Sequence, residues 1–322
     1  MPHILIAGKI HPSGMALLKD APGITYDYVE EVSEASYAPL IARADGLVIR
    51  TQPCSAATIA QAPQLKIISR HGVGYDAVHL PSCNARGIAL AICGDANSIS
   101  VAEHSMMLIL AATKQTIQAD QSVRHDGWGW RNKLQAREVS GKNLLIIGYG
   151  RIGRHLARMA SGFGMQIRAF DPYLEQAGWP AGDVAPVSTL EAGLRWADAV
   201  SVNVPHSGKA LIGAAELAFM RSTAILVNTA RGGVIDEAAL ADALRSGTLS
   251  GAGIDVFEAE PPTADNRFLG LHNAILTPHI AGLTAEAGER MAVSSVQNVL
   301  DFFNGCIDHQ LVVNREALAA TA

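Results

Sequence analysis

"LLIIGYGRIGRHLARMASGFGMQIRAFDP", residues 144–172, decides the fold. An apolar run of strand length meets three glycines spaced Gly148-x-Gly150-x-x-Gly153, and a segment of helical periodicity follows. A second apolar run then ends in Asp171. In a strand–turn–helix of this kind the first glycine permits the tight turn and the second leaves room for a pyrophosphate. The third lets the helix pack closely on the strand. The helix amino terminus adds unpaired N–H groups and a partial positive charge. Asp171 stands where a carboxylate accepts hydrogen bonds from ribose hydroxyls, and it would repel a 2′-phosphate. Pro172 and Tyr173 follow it, not arginine. The spacing predicts NAD, in preference to NADP, on Gly148, Tyr149, Gly150, Arg151, Ile152 and Gly153 with Asp171. The turn "RHGVGYD" (70–76) lacks the third glycine and the apolar helix, and predicts no second nucleotide site.

Similar apolar runs recur on both sides. "HILIAG", "ITYDYV", "GLVIRT", "LKIISR" and "IALAIC" precede the motif, and "AVSVNVP", "AILVNTA", "AGIDVF" and "AILTPH" follow it. Strands apolar throughout, separated by helix-like segments, imply parallel sheets covered on both faces. Two such series predict an α/β protein with two parallel-sheet domains of similar plan, Rossmann-like or flavodoxin-like. In "VAEHSMMLILAATKQTI" (101–117) the pattern predicts one long helix, with Ser100 and Glu103 at capping-box spacing. Glu103 and His104 then read as a cap and a packed side chain.

Of the 322 residues, 49% are hydrophobic and 17% charged, with a formal charge of −5. That balance excludes a tail-like chain and argues against a basic nucleic-acid binder. No apolar run approaches the roughly 20 residues of a membrane span, and the start of the chain reads as no signal peptide. Cys54, Cys83, Cys93 and Cys306 lack metal-like spacing. They read as reduced thiols of a cytoplasmic protein without a metal site.

Three strands of the second series end in reactive side chains: Arg231 after "ILVNTA", Glu260 after "GIDVFEA" and His279 after "AILTP". Ligands of parallel sheets gather at such carboxyl ends. A guanidinium can clamp a carboxylate and polarise the carbonyl beside it. An imidazole can hand a proton to a developing alkoxide, and a neighbouring carboxylate favours its protonated form. These types suit hydride transfer to a 2-oxo acid. On the residues alone, Glu258 competes with Glu260 for the carboxylate's part.

"GYGRIG" with Asp171, "NTARGGVIDEAAL", "GIDVFEAEPP" and "LTPHIAGLT" resemble, in this order, the D-isomer-specific 2-hydroxyacid dehydrogenase family, and "SVAEH" and "VVNREAL" extend the likeness over nearly the whole chain. The resemblance implies that Arg231 binds and polarises the substrate, that His279 is the acid/base and that Glu260, before Pro261-Pro262, supports the histidine. It implies substrate-carboxylate binding by the backbone N–H groups of Val73 and Gly74. Ala230, Asp255 and Gly282 would line the nicotinamide end, with Val204, Pro205 and Thr229 touching the cofactor elsewhere. It implies a discontinuous substrate domain (1–98 and 285–322), an NAD-binding domain (99–284), an active site in a cleft between them, and homodimers formed through the latter near Trp128 and Trp130. Some relatives of the fold are NAD-sensing transcriptional corepressors, and such a non-catalytic scaffold is the alternative.

His206-Ser207-Gly208-Lys209 departs from the family pattern beside the cofactor. No regulatory domain is expected after "VVNREAL". Arg50 and His71 would border the substrate, where a second cation would suit a phosphoglycerate-type substrate. Hydroxypyruvate or glyoxylate fits the same residues. A formate dehydrogenase is disfavoured, because those relatives carry glutamine in place of Glu260.

Overall fold

A computed structural model describes residues 1–182 and 184–319. The chain divides into two compact units, residues 1–97 with 283–322, and residues 98–282.

Unit 1 holds β1 (His3–Ala7), β2 (Thr25–Val29), β3 (Gly46–Ile49), β4 (Ile67–Arg70) and β5 (Ala89–Ala91). They form one parallel sheet in the order β2-β1-β3-β4-β5, the flavodoxin-like arrangement. Successive side chains leave opposite faces, so each strand feeds two cores. Leu5, Ala7, Leu47 and Ile49 pack with Tyr37 and Ile59. Ile4, Ile6 and Val48 pack with Val296 and Val299 of the Ala285–Phe303 helix.

Unit 2 holds β6 (Asn143–Ile147), β7 (Gln166–Phe170), β8 (Ala185–Pro186), β9 (Ala199–Val202), β10 (Ile225–Asn228), β11 (Gly251–Ile254) and β12 (Ala274–Leu276). Its order, β12-β11-β10-β9-β6-β7-β8, is again parallel throughout. The sequence of connections reverses between β6 and β9, and a crevice opens at such a switch point. Leu145, Ile147, Val200, Val202 and Leu226 bury one face. Leu144, Ile146 and Val227 bury the other against Ala102, Met106 and Ile109 of the Ser98–Lys114 helix.

Three local expectations are corrected. The helix begins at Ser98, so Ser100 is already inside its first turn instead of capping it. It ends at Lys114, because Gln115 turns left-handed (φ 52°) and a second helix, Thr116–Arg124, starts beyond. The short edge strand β8 carries no apolar run and lies outside the predicted series; its two residues are both exposed.

Gly253 shows how tightly the Ser98–Lys114 helix lies on β11: a Cβ there would come within 2.7 Å of Leu108 Cβ. Gly253→Val should therefore destabilise the chain by about 1–3 kcal/mol through overpacking. An unchanged urea midpoint would show that the helix yields freely.

Candidate active site

The glycine turn after β6 has the three properties its spacing requires. Gly148 adopts φ +89°, and a Cβ on it would lie 2.7 Å from Asn203 O at the end of β9. Gly153 brings its helix so near the strand that a Cβ would lie 2.4 Å from Gly148 O. Around Gly150, which opens the Arg151–Gly162 helix, a Cβ would meet nothing within 4 Å. Close packing at two glycines and open space at the middle one make a cradle that fits a pyrophosphate.

Asp171 ends β7 as expected, but its carboxylate also serves the fold. Oδ2 accepts from Tyr149 N (2.9 Å), and Oδ1 accepts from Leu174 N (3.1 Å), capping the Pro172–Ala177 helix. Tyr149 stacks on Trp179 with ring centroids 5.5 Å apart, and Trp179 Nε1 donates to Val184 O at 2.8 Å. Trp179 belongs to no motif, so the sequence gives no sign of it. Val204 borders the turn, its Cγ1 lying 2.8 Å from the position of a Cβ on Gly148. Pro205 follows Val204, and the departing His206 rests its Nε2 3.1 Å from the position of a Cβ on Gly233.

At the end of β10, Asn228 is buried and folds the chain back on itself. Its Oδ1 accepts from Ala230 N (3.0 Å) and its Nδ2 donates to Arg231 O (2.9 Å). Gly232 then passes the end of β11 so closely that a Cβ would overlap Phe257 O, at 1.9 Å. Only glycine allows that approach, which is why the two glycines follow Arg231. The half-buried Arg231 donates from one guanidinium nitrogen to Ala230 O at 2.7 Å. Thr229 is buried and shares a 2.8 Å hydrogen bond with Ser105.

Beyond β12 the chain is held by Asp255, which is fully buried. Its Oδ1 accepts from Thr277 Oγ1 (2.5 Å) and Ile280 N (2.9 Å), and its Oδ2 accepts from Ala281 N (2.9 Å). His104 completes this network, with Nε2 3.0 Å from Thr277 Oγ1 and 3.6 Å from Asp255 Oδ1. Burial pushes the His104 imidazole below its ordinary range, against the opposing pull of Asp255. His104 is therefore a polar partner more than a packed side chain. The turn leaves His279 left-handed (φ 52°), with Nδ1 2.7 Å from Glu260 Oε2. Glu260 Oε1 accepts from Phe257 N at 3.0 Å, so the carboxylate is braced before it meets the imidazole. Glu258 is exposed, and its backbone N–H donates to Glu237 Oε1, away from His279. Geometry thus chooses between the two glutamates.

In unit 1, Arg50 and His71 follow β3 and β4, and the loop carrying Val73 and Gly74 continues from His71. Gly72 is pinned by Cys93: Gly72 N donates to Cys93 Sγ (3.3 Å), and Cys93 N donates to Gly72 O (2.9 Å). Gly282 closes unit 2. Among the described residues, no group of three or more His, Cys, Asp or Glu side chains could hold a metal ion.

Residues 106–281 match the profile of the D-isomer specific 2-hydroxyacid dehydrogenase NAD-binding domain. The chain belongs to this family. The D-3-phosphoglycerate dehydrogenase of Mycobacterium tuberculosis is 36% identical over 302 residues, covering 93% of this chain and 56% of the relative. The glyoxylate reductase of Korarchaeum cryptofilum is 34% identical, covering 98% and 97% of the two chains. The solved structure of a Thermus thermophilus protein superposes with a TM-score of 0.86 at 29% identity, covering 95% of this chain and 98% of the other. This member of the family spans about half the length of the phosphoglycerate dehydrogenases it matches.

Two glycine variants separate packing from ligand space. Gly150→Val should leave the melting temperature within about 3 °C while weakening NADH binding at least tenfold in a fluorescence titration. Gly153→Val should lower the melting temperature itself, because overpacking there costs about 1–3 kcal/mol of stability. Equal effects of the two on stability would contradict the open cradle.

Proposed function

We propose that this chain is an NAD(H)-dependent dehydrogenase interconverting a D-2-hydroxy acid and its 2-oxo acid. The observation that carries the reading is the 2.7 Å pair of His279 and Glu260, on the same sheet end as the Arg231 turn. β10 and β12 flank β11, so the two turns are separated by about 10 Å of ordinary strand spacing, a span suited to a small acid. A bound nicotinamide cofactor supplies or accepts the hydride. Gly148, Tyr149, Gly150, Arg151, Ile152, Gly153 and Asp171 would hold its adenosine and phosphate end. Val204, Pro205, Thr229, Ala230, Asp255 and Gly282 would hold the remainder. The carboxylate at Asp171, with Pro172 and Tyr173 following, favours NAD over its 2′-phosphorylated form.

Arg231 would bind the substrate carboxylate and draw electron density from the carbonyl oxygen. His279 Nδ1 is engaged by Glu260, which leaves Nε2 to carry the proton to or from the substrate oxygen. Its side chain is 49% exposed, so the ring is accessible to a ligand. Asp255 acts through the backbone it holds and is a positioning residue for His279 as well as a candidate cofactor contact. In unit 1 the reading assigns carboxylate anchoring to the N–H groups of Val73 and Gly74, and substrate contacts to Arg50 and His71.

We also propose a homodimer formed through unit 2. Neither the Thr116–Arg124 helix nor the Trp128–Lys133 turn has a buried residue, although Ile117, Val123 and Trp128 are apolar. Ile117 continues into a groove shared with Met107, Leu110, Met159 and Phe163, of which Met107 and Phe163 are also exposed. A helix with no fully buried residue in its own chain gains stability from a partner, and a second copy would cover this stripe. We assign the protein to the cytoplasm: its four thiols are free, and no helix among the described residues is long and apolar enough to cross a membrane.

His279→Ala should lower turnover of a 2-oxo acid by about 10²–10⁴-fold while NADH binding is retained. Near-normal turnover would remove the residue from the chemistry. Sedimentation should give twice the chain mass for the unaltered protein and the single mass for Ile117→Glu with Phe163→Glu. An unaltered chain that stays monomeric at tens of micromolar would refute the dimer.

A further inference from the structure

The loop that carries Glu260 has little packing of its own. Between Phe257 and Phe268, both buried, the chain forms no helix or strand and most of its side chains are exposed. The Glu260 side chain itself is 36% exposed. A segment with so few buried contacts would be free to move, yet its carboxylate lies 2.7 Å from His279 Nδ1.

Glu237, in the same unit, supplies the missing restraint. It opens the Glu237–Arg245 helix, where an acidic side chain is ordinarily explained by the helix dipole. Here both of its oxygens turn to the loop. Oε1 accepts from Glu258 N at 2.6 Å, and Oε2 accepts from Asn266 Nδ2 at 3.3 Å. Asn266 is fixed in turn, its Oδ1 accepting from Phe268 N (3.0 Å) and its own N donating to Thr263 O (3.0 Å). One carboxylate therefore ties the beginning of the loop to its end, with Glu260 between. At the beginning, successive N–H groups are taken by two glutamates, Phe257 N by Glu260 and Glu258 N by Glu237. The Arg231 turn abuts the same peptide, since a Cβ on Gly232 would lie 2.6 Å from Glu258 N.

The helix does not need this carboxylate as a cap, because Asp236 already accepts from Ala239 N at 2.9 Å. Burial pushes the Glu237 carboxyl up, against the pull of its two hydrogen bonds, and the charges of Glu258 and Glu260 add to the push. A half-buried acid crowded by two others costs stability, and a neutral side chain at this helix start would avoid that cost. Its place there is explained by what it holds.

Resting on the dehydrogenase reading, we propose that Glu237 is a positioning residue for the proton transfer: by fixing the loop at both ends it keeps Glu260 on His279 Nδ1. It acts through Glu260, and the reach of its oxygens matters more than their charge.

Two substitutions separate reach from charge. Glu237→Asp keeps the charge and withdraws both oxygens from their donors. Glu237→Gln discards the charge and keeps an acceptor for Glu258 N at full reach. In steady-state NADH oxidation with glyoxylate and hydroxypyruvate, Glu237→Asp should lower kcat by about 10–100-fold with the KM for NADH within about twofold, and Glu237→Gln should keep kcat within about threefold. A loss in Glu237→Gln equal to or larger than that in Glu237→Asp, or no loss in either, would overturn the proposal. Repeating Glu237→Asp in a Glu260→Gln background distinguishes positioning from general destabilisation. Once Glu260 is replaced, the second change should cost no further turnover; an equal loss in both backgrounds makes Glu237 merely structural and overturns its assignment. Should Glu237→Asp not fold, Asn266→Ala, which frees only the far end of the loop, reads the same loss of kcat in both backgrounds. Turnover indifferent to Glu237 defeats only this inference. No NADH oxidation by the unaltered chain with any 2-oxo acid defeats the dehydrogenase reading as well.

Discussion

The buried carboxylate of Asp255 is the interaction on which the candidate chemistry depends. Three donors converge on it, one hydroxyl and two backbone N–H groups, all from residues 277–281. In a dry surround hydrogen bonds are strengthened, and each one constrains geometry closely. Because Ile280 and Ala281 are held by their backbones, His279 between them and Thr277 has little freedom to leave its left-handed conformation. The imidazole is thus aimed by a carboxylate it does not touch and paired with a second one, Glu260, that it does.

The same economy appears on the neighbouring strand. Asn228 turns the chain after β10 with two side-chain hydrogen bonds, and Gly232 lets that turn lie against Phe257. Phe257 N in turn donates to Glu260. The Arg231 turn, the glutamate and the histidine are therefore coupled through adjacent strand ends. Moving one would disturb the packing of the next. Rigid strand ends carrying short, fully hydrogen-bonded turns are a scaffold suited to holding groups for catalysis.

Much of this was legible in the chain. Buried parallel strands are apolar at every position, so their runs stand out, and the glycine spacing of 148–153 has a separate steric cause at each glycine. Other features left no local trace. The edge strand Ala185–Pro186 is too short and exposed to show a period. The break at Gln115 falls inside a stretch whose side chains all tolerate helix, and only backbone geometry reveals it. Trp179 gains its stacking partner, and His104 its hydrogen-bonding partner, from residues distant in sequence.

By itself the sequence determined the α/β class, the nucleotide cradle and the three reactive residue types at strand ends, because each follows from local periodicity or from sterics within a few residues. Tertiary structure alone decided that Asp255 holds the turn carrying His279, that His104 joins that network, and that Trp179 stacks on Tyr149. Those are facts about which groups of distant chain segments come into contact with each other. No pattern along the chain encodes such distances, since hydrogen-bond satisfaction is settled only when the strands have been laid side by side.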